Sequence, residues 1–233
     1  MVELIDLSKN YGLQTVLSIP NLKIESGELV GLVGNNGAGK TTMFSLMLDL
    51  ITATTGLVKS KQQNVSKSEA WKNYTGSYLG EDFLVPFLSP EEFLTFVGKL
   101  HGKNKADFDC FMLEVEDFFP TEMFTKGFIR NLSLGNKNKL GILAALYSSP
   151  ELLLLDEPFA NLDPGSQAWL KEKLRELNQE GVTILLSSHD LRHITELCSR
   201  VLLLDKGIII KDSSVDSNAL TELETWFMPS KKY

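Results

Sequence analysis

Residues Gly34 to Thr42 read Gly-Asn-Asn-Gly-Ala-Gly-Lys-Thr-Thr, and no other stretch limits the fold as tightly. A short apolar run, Leu29 to Val33 with Gly31 inside it, precedes them, and a run of helical character begins near Met43. The glycines at 34, 37 and 39 therefore fall between a predicted strand and a predicted helix. In that setting successive backbone N–H groups turn inward on an anion, and the positive end of the helix faces the same anion. Gly34, Asn35, Asn36, Gly37, Ala38, Gly39, Lys40, Thr41 and Thr42 are accordingly read as a phosphate cradle. Lys40 would reach the β and γ phosphates, and Thr41 would place its hydroxyl on Mg²⁺. Nucleotide binding is the working premise.

At 233 residues the chain fits one α/β domain with an inserted or appended lobe. A net charge of −7 with scattered lysines argues against a surface that coats nucleic acid, so no nucleic-acid partner is expected. Lys59, Lys61 and Lys67 are read as a solvated face. Cys110 and Cys198, far apart in sequence, are read as reduced thiols of a cytoplasmic protein. Met1 to Asp6 shows neither a basic region nor an apolar signal segment. The longest apolar run, Leu140 to Tyr147, is far too short to span a bilayer, so any membrane role is expected to come through a partner.

Taken in order, Val2 to Leu7 and Val16 to Ile24 are predicted strands on either side of Asn10-Tyr11-Gly12. Tyr11 is placed either to stack on an adenine ring or to sit half-buried at a strand end. Thr52 to Gly56 reads as a turn, the segment from there to Asn73 as strands or irregular structure, and Gly76 to Glu81 as a buried strand ending in a carboxylate. Ser89-Pro90-Glu91-Glu92 is a helix start: serine caps, proline takes the first helical position, and a glutamate completes a capping box. Ten of the thirteen phenylalanines lie between Phe83 and Phe128, with helical spacings such as Phe93, Phe96, Val97 and Leu100, so a mostly helical lobe is predicted there. Most of these rings are expected to fill that lobe's own core. Phe83, Val85 and Phe87, around Pro86, are expected to be exposed and to dock a partner helix.

Leu132-Ser133-Leu134-Gly135-Asn136 introduces a helix running to Tyr147. Four leucines then lead into Asp156-Glu157-Pro158, which fits a strand buried on both faces that carries two carboxylates at its C-terminal edge, where parallel α/β sheets bind ligands. Asn161-Leu162-Asp163-Pro164 caps another helix with Leu170, Leu174 and Leu177 inward. Val182 to Leu186 is a strand that delivers Ser187, Ser188 and His189 to the same edge. Val201 to Leu204 and Ile208 to Ile210 read as a hairpin, and the tail from Ser217 as a short helix. Asn136-Lys137-Asn138-Lys139 lacks the aspartate of an Asn-Lys-x-Asp guanine reader, which argues against a small GTPase. His101 and His193 are read as structural.

The phosphate loop, Leu132-Ser133-Leu134-Gly135-Asn136, the leucine run with Asp156-Glu157-Pro158, Asn161-Leu162-Asp163 and the strand ending in His189 form an ordered set. That set resembles the ATP-binding subunit of ABC transporters from Val2 to about Asp212. The resemblance implies an α/β P-loop ATPase of the ABC type, with a mostly parallel core sheet, an N-terminal antiparallel β portion and an inserted helical lobe. Residues 1–80 and 150–233 would form the nucleotide-binding core and 81–149 the helical signature lobe. It further implies a head-to-tail dimer, with a copy of this chain or a relative, that sandwiches two ATP molecules. Each would be held by the phosphate loop of one subunit and by Ser133 and the Gly135 N–H of the other. Asp156 would hold Mg²⁺ through water, Glu157 would act as general base, and His189 would contact the γ-phosphate. Asp163 would join the nucleotide-binding set, and Glu81 stands where many members carry a glutamine near the metal. Leu134 and Asn136 replace the usual glycine and glutamine of the signature. The implied partner is an integral-membrane permease of the export type, with this subunit peripheral on the cytoplasmic face. The alternatives are a soluble ABC-type ATPase working as a mechanical switch on ribosomes or DNA, and a nucleotide-binding scaffold without turnover.

Overall fold

Leu152–Leu155 is buried at every position. A four-residue strand can be so only where both faces of its sheet are covered. This strand, β7, lies in a six-stranded sheet of order β10-β9-β3-β8-β7-β6. The others are β3 (Leu29–Val33), β6 (Thr75–Tyr78), β8 (Thr183–Ser188), β9 (Arg200–Asp205) and β10 (Ile208–Ser214). All neighbours pair parallel except β9 and β10, which form an antiparallel hairpin. The computed structural model describes residues 1–124, 127–216 and 219–227.

Alternation along these strands feeds two separate cores. Leu29, Val33, Leu153, Leu155, Ile184, Leu186, Val201 and Leu203 point to one. Val30, Leu32, Leu152, Leu154, Leu185, Leu202 and Leu204 point to the other. The second core is closed by α1 (Lys40–Met47) and by a four-stranded antiparallel sheet of order β2-β1-β4-β5, comprising β1 (Val2–Tyr11), β2 (Gln14–Ile24), β4 (Thr55–Ser60) and β5 (Gln63–Asn64). The first is closed by helices: α2 (Pro90–Leu100), α3 (Lys105–Glu114), α4 (Leu134–Tyr147), α5 (Pro164–Gln179), α6 (Leu191–Leu197) and α7 (Ala219–Phe227). The fold is thus α/β, with a mostly parallel core sheet, an N-terminal antiparallel portion and added helices.

The capping box forms as the sequence predicts: Ser89 Oγ accepts from Glu92 N–H, and the Glu92 carboxylate accepts from Ser89 N–H at 2.8 Å. Several boundaries differ from the sequence reading. The cradle helix begins at Lys40 rather than near Met43, because Met43 N–H already bonds Gly39 O at 2.9 Å. Strand β1 runs on to Tyr11, pairing with Gln14 across a two-residue turn. Strand β4 begins at Thr55, inside the stretch read as a turn. Strand β6 stops at Tyr78, because Gly80 takes φ +134° and turns the chain, so Glu81 sits in a 3₁₀ turn instead of ending the strand. Of the tail, Ser217, Asn218 and residues 228–233 lie outside the described residues.

The phenylalanines divide only partly as the spacing suggests: Phe96 and Leu100, read on one stripe with Phe93 and Val97, are exposed, because α2 turns Phe93, Leu94 and Gly98 to the core. Phe93, Phe108, Phe118, Phe119 and Phe124 are buried, whereas Phe83, Phe87, Phe96 and Phe128 are exposed, together with Val85. Phe118 stacks on Trp169 of α5, centroids 4.5 Å apart, and so joins the segment after α3 to the sheet's helical cover. Replacing Phe118 with alanine should cost about 3–5 kcal/mol of unfolding free energy in urea titration, the cost of a large aromatic lost from a filled core.

Candidate functional site

Parallel register brings the working side chains to one edge. Val33 pairs with Ser188, Leu155 with Leu186, and Tyr78 with Leu155, so the ends of β3, β6, β7 and β8 lie side by side. Each strand delivers its own residues to that edge: the phosphate cradle after β3, Glu81 after β6, Asp156 and Glu157 after β7, and His189 after β8.

The cradle between β3 and α1 is braced from outside. Ala38 O accepts from Gly207 N–H at 2.8 Å, and Gly207 O accepts from Ser18 N–H at 2.7 Å, so the β9–β10 turn and β2 support the loop. At two of its glycines the loop leaves no room for a side chain. A Cβ at Gly34 would come within 2.4 Å of Leu204 O, and Gly39 combines φ +109° with an approach of 3.0 Å to Val16 O. Asn35, Asn36, Gly37 and Thr41 face solvent, and Lys40 is buried.

Lys40 Nζ donates to Gly34 O at 2.7 Å and lies 3.4 Å from Glu157 Oε1. The other Glu157 oxygen accepts from His189, through Nδ1–H at 2.8 Å and through the backbone N–H at 3.2 Å. Glu157 itself has φ +49°, a conformation a non-glycine residue holds only when its surroundings impose it, and such positions gather at working sites. Beside it, Thr41 Oγ1–H donates to one Asp156 oxygen and Ser187 Oγ–H to the other at 2.5 Å. Ser187 Oγ also accepts from Glu157 N–H at 2.9 Å. Lys40, Thr41, Asp156, Glu157 and His189, separated widely in sequence, therefore form one contact network.

Other expected site residues stand outside that network. Glu81 is held by Lys137 Nζ at 2.8 Å, so its carboxylate is engaged with the helix that carries the signature at its start. Asp163 caps α5 through Ser166 and accepts from Lys139 Nζ at 3.1 Å. The Ser166 hydroxyl and N–H, with that ammonium, hold its carboxyl well below the usual carboxylate range. Ser133 caps α4 by accepting from Asn136 N–H at 3.3 Å, and Gly135 lies so near the loop after β7 that a Cβ would come within 2.6 Å of Asn161 O. Among the described residues no hydrogen bond joins Ser133 or Gly135 to residues 34–42. Tyr11 is exposed, with Lys9 Nζ 4.9 Å from its ring centre, and joins none of these contacts. His193 is half-buried against the Phe159 ring, and that partial burial pushes its imidazole below its ordinary value.

Two further residues have roles that the sequence reading does not assign. Ser187 could have been found from strand parity, since alternate positions of a strand entering the site must face it. Asn138 could not: it is buried in α4, accepts from Tyr78 O–H at 2.6 Å and donates to Ala160 O at 2.8 Å, and only the packing of α4 on β6 shows this.

A glycine cradle with an inserted lysine, a hydroxyl-bound aspartate and a neighbouring glutamate, all at the C-terminal edge of a parallel sheet, define a P-loop ATPase. Comparison with known proteins agrees. The ABC transporter family model matches residues 17–160, and the chain belongs to that family. A model described as an AAA domain, putative AbiEii toxin, matches residues 129–193. An uncharacterised ABC transporter ATP-binding protein of Alkalihalophilus pseudofirmus is 39% identical over 76% of this chain and 65% of its own length. The lantibiotic transport ATP-binding protein SrtF of Streptococcus pyogenes is 32% identical over 96% of this chain and 95% of its own. A solved structure described as the ATP-binding subunit of an ABC transporter superposes with a TM-score of 0.83 at 27% identity, over 96% of this chain and 94% of that one.

Ser187 is the residue through which Asp156 and Glu157 are held together. Ser187→Ala should therefore lower unfolding free energy by about 1–3 kcal/mol, the cost of orphaning buried polar groups, and should lower ATP turnover with it. Chemical denaturation and a phosphate-release assay on the same preparation would check both.

Proposed function

We propose that this chain turns over Mg·ATP as one of two ATPase subunits arranged head to tail, and that the pair powers an integral-membrane permease working outward. The observation that carries the reading is the buried Lys40 ammonium, held between the Gly34 carbonyl and the Glu157 carboxylate. Both partners are surrogates for an anion in the cradle. A γ-phosphate entering it competes for the same ammonium and frees the Glu157 oxygen that faces Lys40. The other oxygen stays on His189, so the carboxylate keeps its orientation and its free oxygen can accept a proton from the attacking water. General-base help of this kind contributes typically about 10²–10⁴ in rate.

Mg²⁺ suits the donor set, since the Thr41 hydroxyl and Asp156 carboxylate are hard oxygen ligands. Among the described residues no group of three His, Cys, Asp or Glu forms a metal site by itself, so the phosphates would supply the remaining oxygens. When bound, the cation neutralises charge on the phosphate oxygens. Ser133 and Gly135 lie at the N-terminus of α4 without a bond to their own cradle, which supports their serving the ATP of the second subunit. Residues 81–149 would then act as the lobe that presents the signature.

Among the described residues no helix is long and apolar enough to cross a membrane, so a transport role needs a partner. Leu50, Phe83, Val85 and Phe87 are exposed, and Leu50 and Phe83 border a pocket of about 170 Å³ with Trp71, Phe93 and Ala144. A surface like this suits an apolar side chain of a permease helix. The transport function named for SrtF supports the assignment.

Glu157→Gln should lower phosphate release by about 10²–10⁴ while leaving ATP affinity within a few-fold, and wild-type turnover would remove Glu157 from the mechanism. In detergent extracts, a tagged Glu157→Gln chain with Mg·ATP should co-elute stoichiometrically with a polytopic membrane protein. Adding Phe87→Asp should abolish that co-elution, whereas Leu113→Asp, at an exposed apolar position on α3, should retain it.

A further inference from the structure

Lys137, Asn138 and Lys139 are conspicuous in the sequence only for failing to read guanine. In the structure each of the three grips a different element of the chain's own nucleotide edge. Lys137 Nζ binds Glu81 at 2.8 Å, after β6. Asn138 takes the Tyr78 O–H at 2.6 Å, at the end of β6, and donates to Ala160 O at 2.8 Å. Ala160 N–H in turn bonds Glu157 O at 3.1 Å. Lys139 Nζ binds Asp163 at 3.1 Å, at the cap of α5. Successive helical residues project about 100° apart, so these grips hold the first turns of α4 over roughly 200° of its circumference.

The Lys137–Glu81 contact is an ion pair only because residue 81 is a glutamate; a glutamine there could accept from the ammonium but would carry no charge. The two side chains are 25% and 39% exposed, intermediate between a loose surface pair and a sealed one. Glu81 is therefore held against α4 at Lys137, about one turn beyond Ser133.

We propose that Lys137 is a positioning residue: through Glu81, with Asn138 and Lys139 alongside, it sets the placement of the signature turn from the subunit's own ATP edge. This rests on the reading that Ser133 and Gly135 serve the second subunit's ATP.

The test uses Lys137→Met, Glu81→Gln, the double variant, and the exchange of Glu81→Lys with Lys137→Glu. Hydrogen exchange of residues 137–141 is followed in the nucleotide-free protein, where neither dimer formation nor ATP turnover enters. Each single variant should speed exchange there about fivefold, the upper range for one partly exposed ion pair. The double should be no faster than either single, and the charge exchange should recover most of the protection. In steady state Lys137→Met should raise KM for ATP about fivefold with kcat within twofold; a general folding defect would lower kcat instead. Unchanged exchange in Lys137→Met, additive effects in the double, or no recovery on exchange would each overturn the proposal. Loss of ATP turnover in the wild-type chain would sink the ATPase mechanism while leaving the hydrogen-exchange result standing.

Discussion

An ammonium ion buried at the edge of a parallel sheet must have anions or carbonyls around it, and the placement of Lys40 meets that requirement. Its carbonyl partner is the first glycine of its own loop, and its carboxylate partner comes from a strand more than a hundred residues later. The pairing is possible only because β3, β8 and β7 run parallel in adjacent register, which levels their C-terminal ends. Burial of the leucine strands on both faces drives that register, since slipping a strand by one residue would send its side chains into the opposite core. Packing thus sets the geometry of the chemistry. Glu157 holds its positive φ within contact of three partners, Lys40, His189 and Ser187.

Most of this is legible in the sequence because it rests on short-range signals. Glycine spacing before Lys40, four leucines before Asp156, and the proline and glutamate after Ser89 each describe a local conformation with one sensible outcome. The features that stay hidden depend on distant pairing. Sequence alone makes Glu81 a strand-end acid, but Gly80 turns the chain and Lys137, far along the sequence, pairs with the carboxylate. The buried Asn138 carries no sequence signal, because an asparagine one turn inside a helix is equally at home in solvent. The helix start at Lys40 is hard to place because the glycine ahead of it offers no capping side chain and the bond that begins the helix is a backbone one.

The exposed rings and the polar grips on α4 have complementary roles. Phe83 and Phe87 leave apolar area on the surface next to the turn that carries Glu81, while Lys137, Asn138 and Lys139 fix α4 to that same turn and to the loops beyond it.

Calorimetric titration of Mg·ATP into the wild-type chain and into Lys40→Met tests most directly whether the cradle and Lys40 form the ATP phosphate site. Removing one side of a buried charged contact costs about 2–5 kcal/mol, so the variant should bind at least about thirtyfold more weakly. Equal affinity in the two proteins would contradict that role for Lys40.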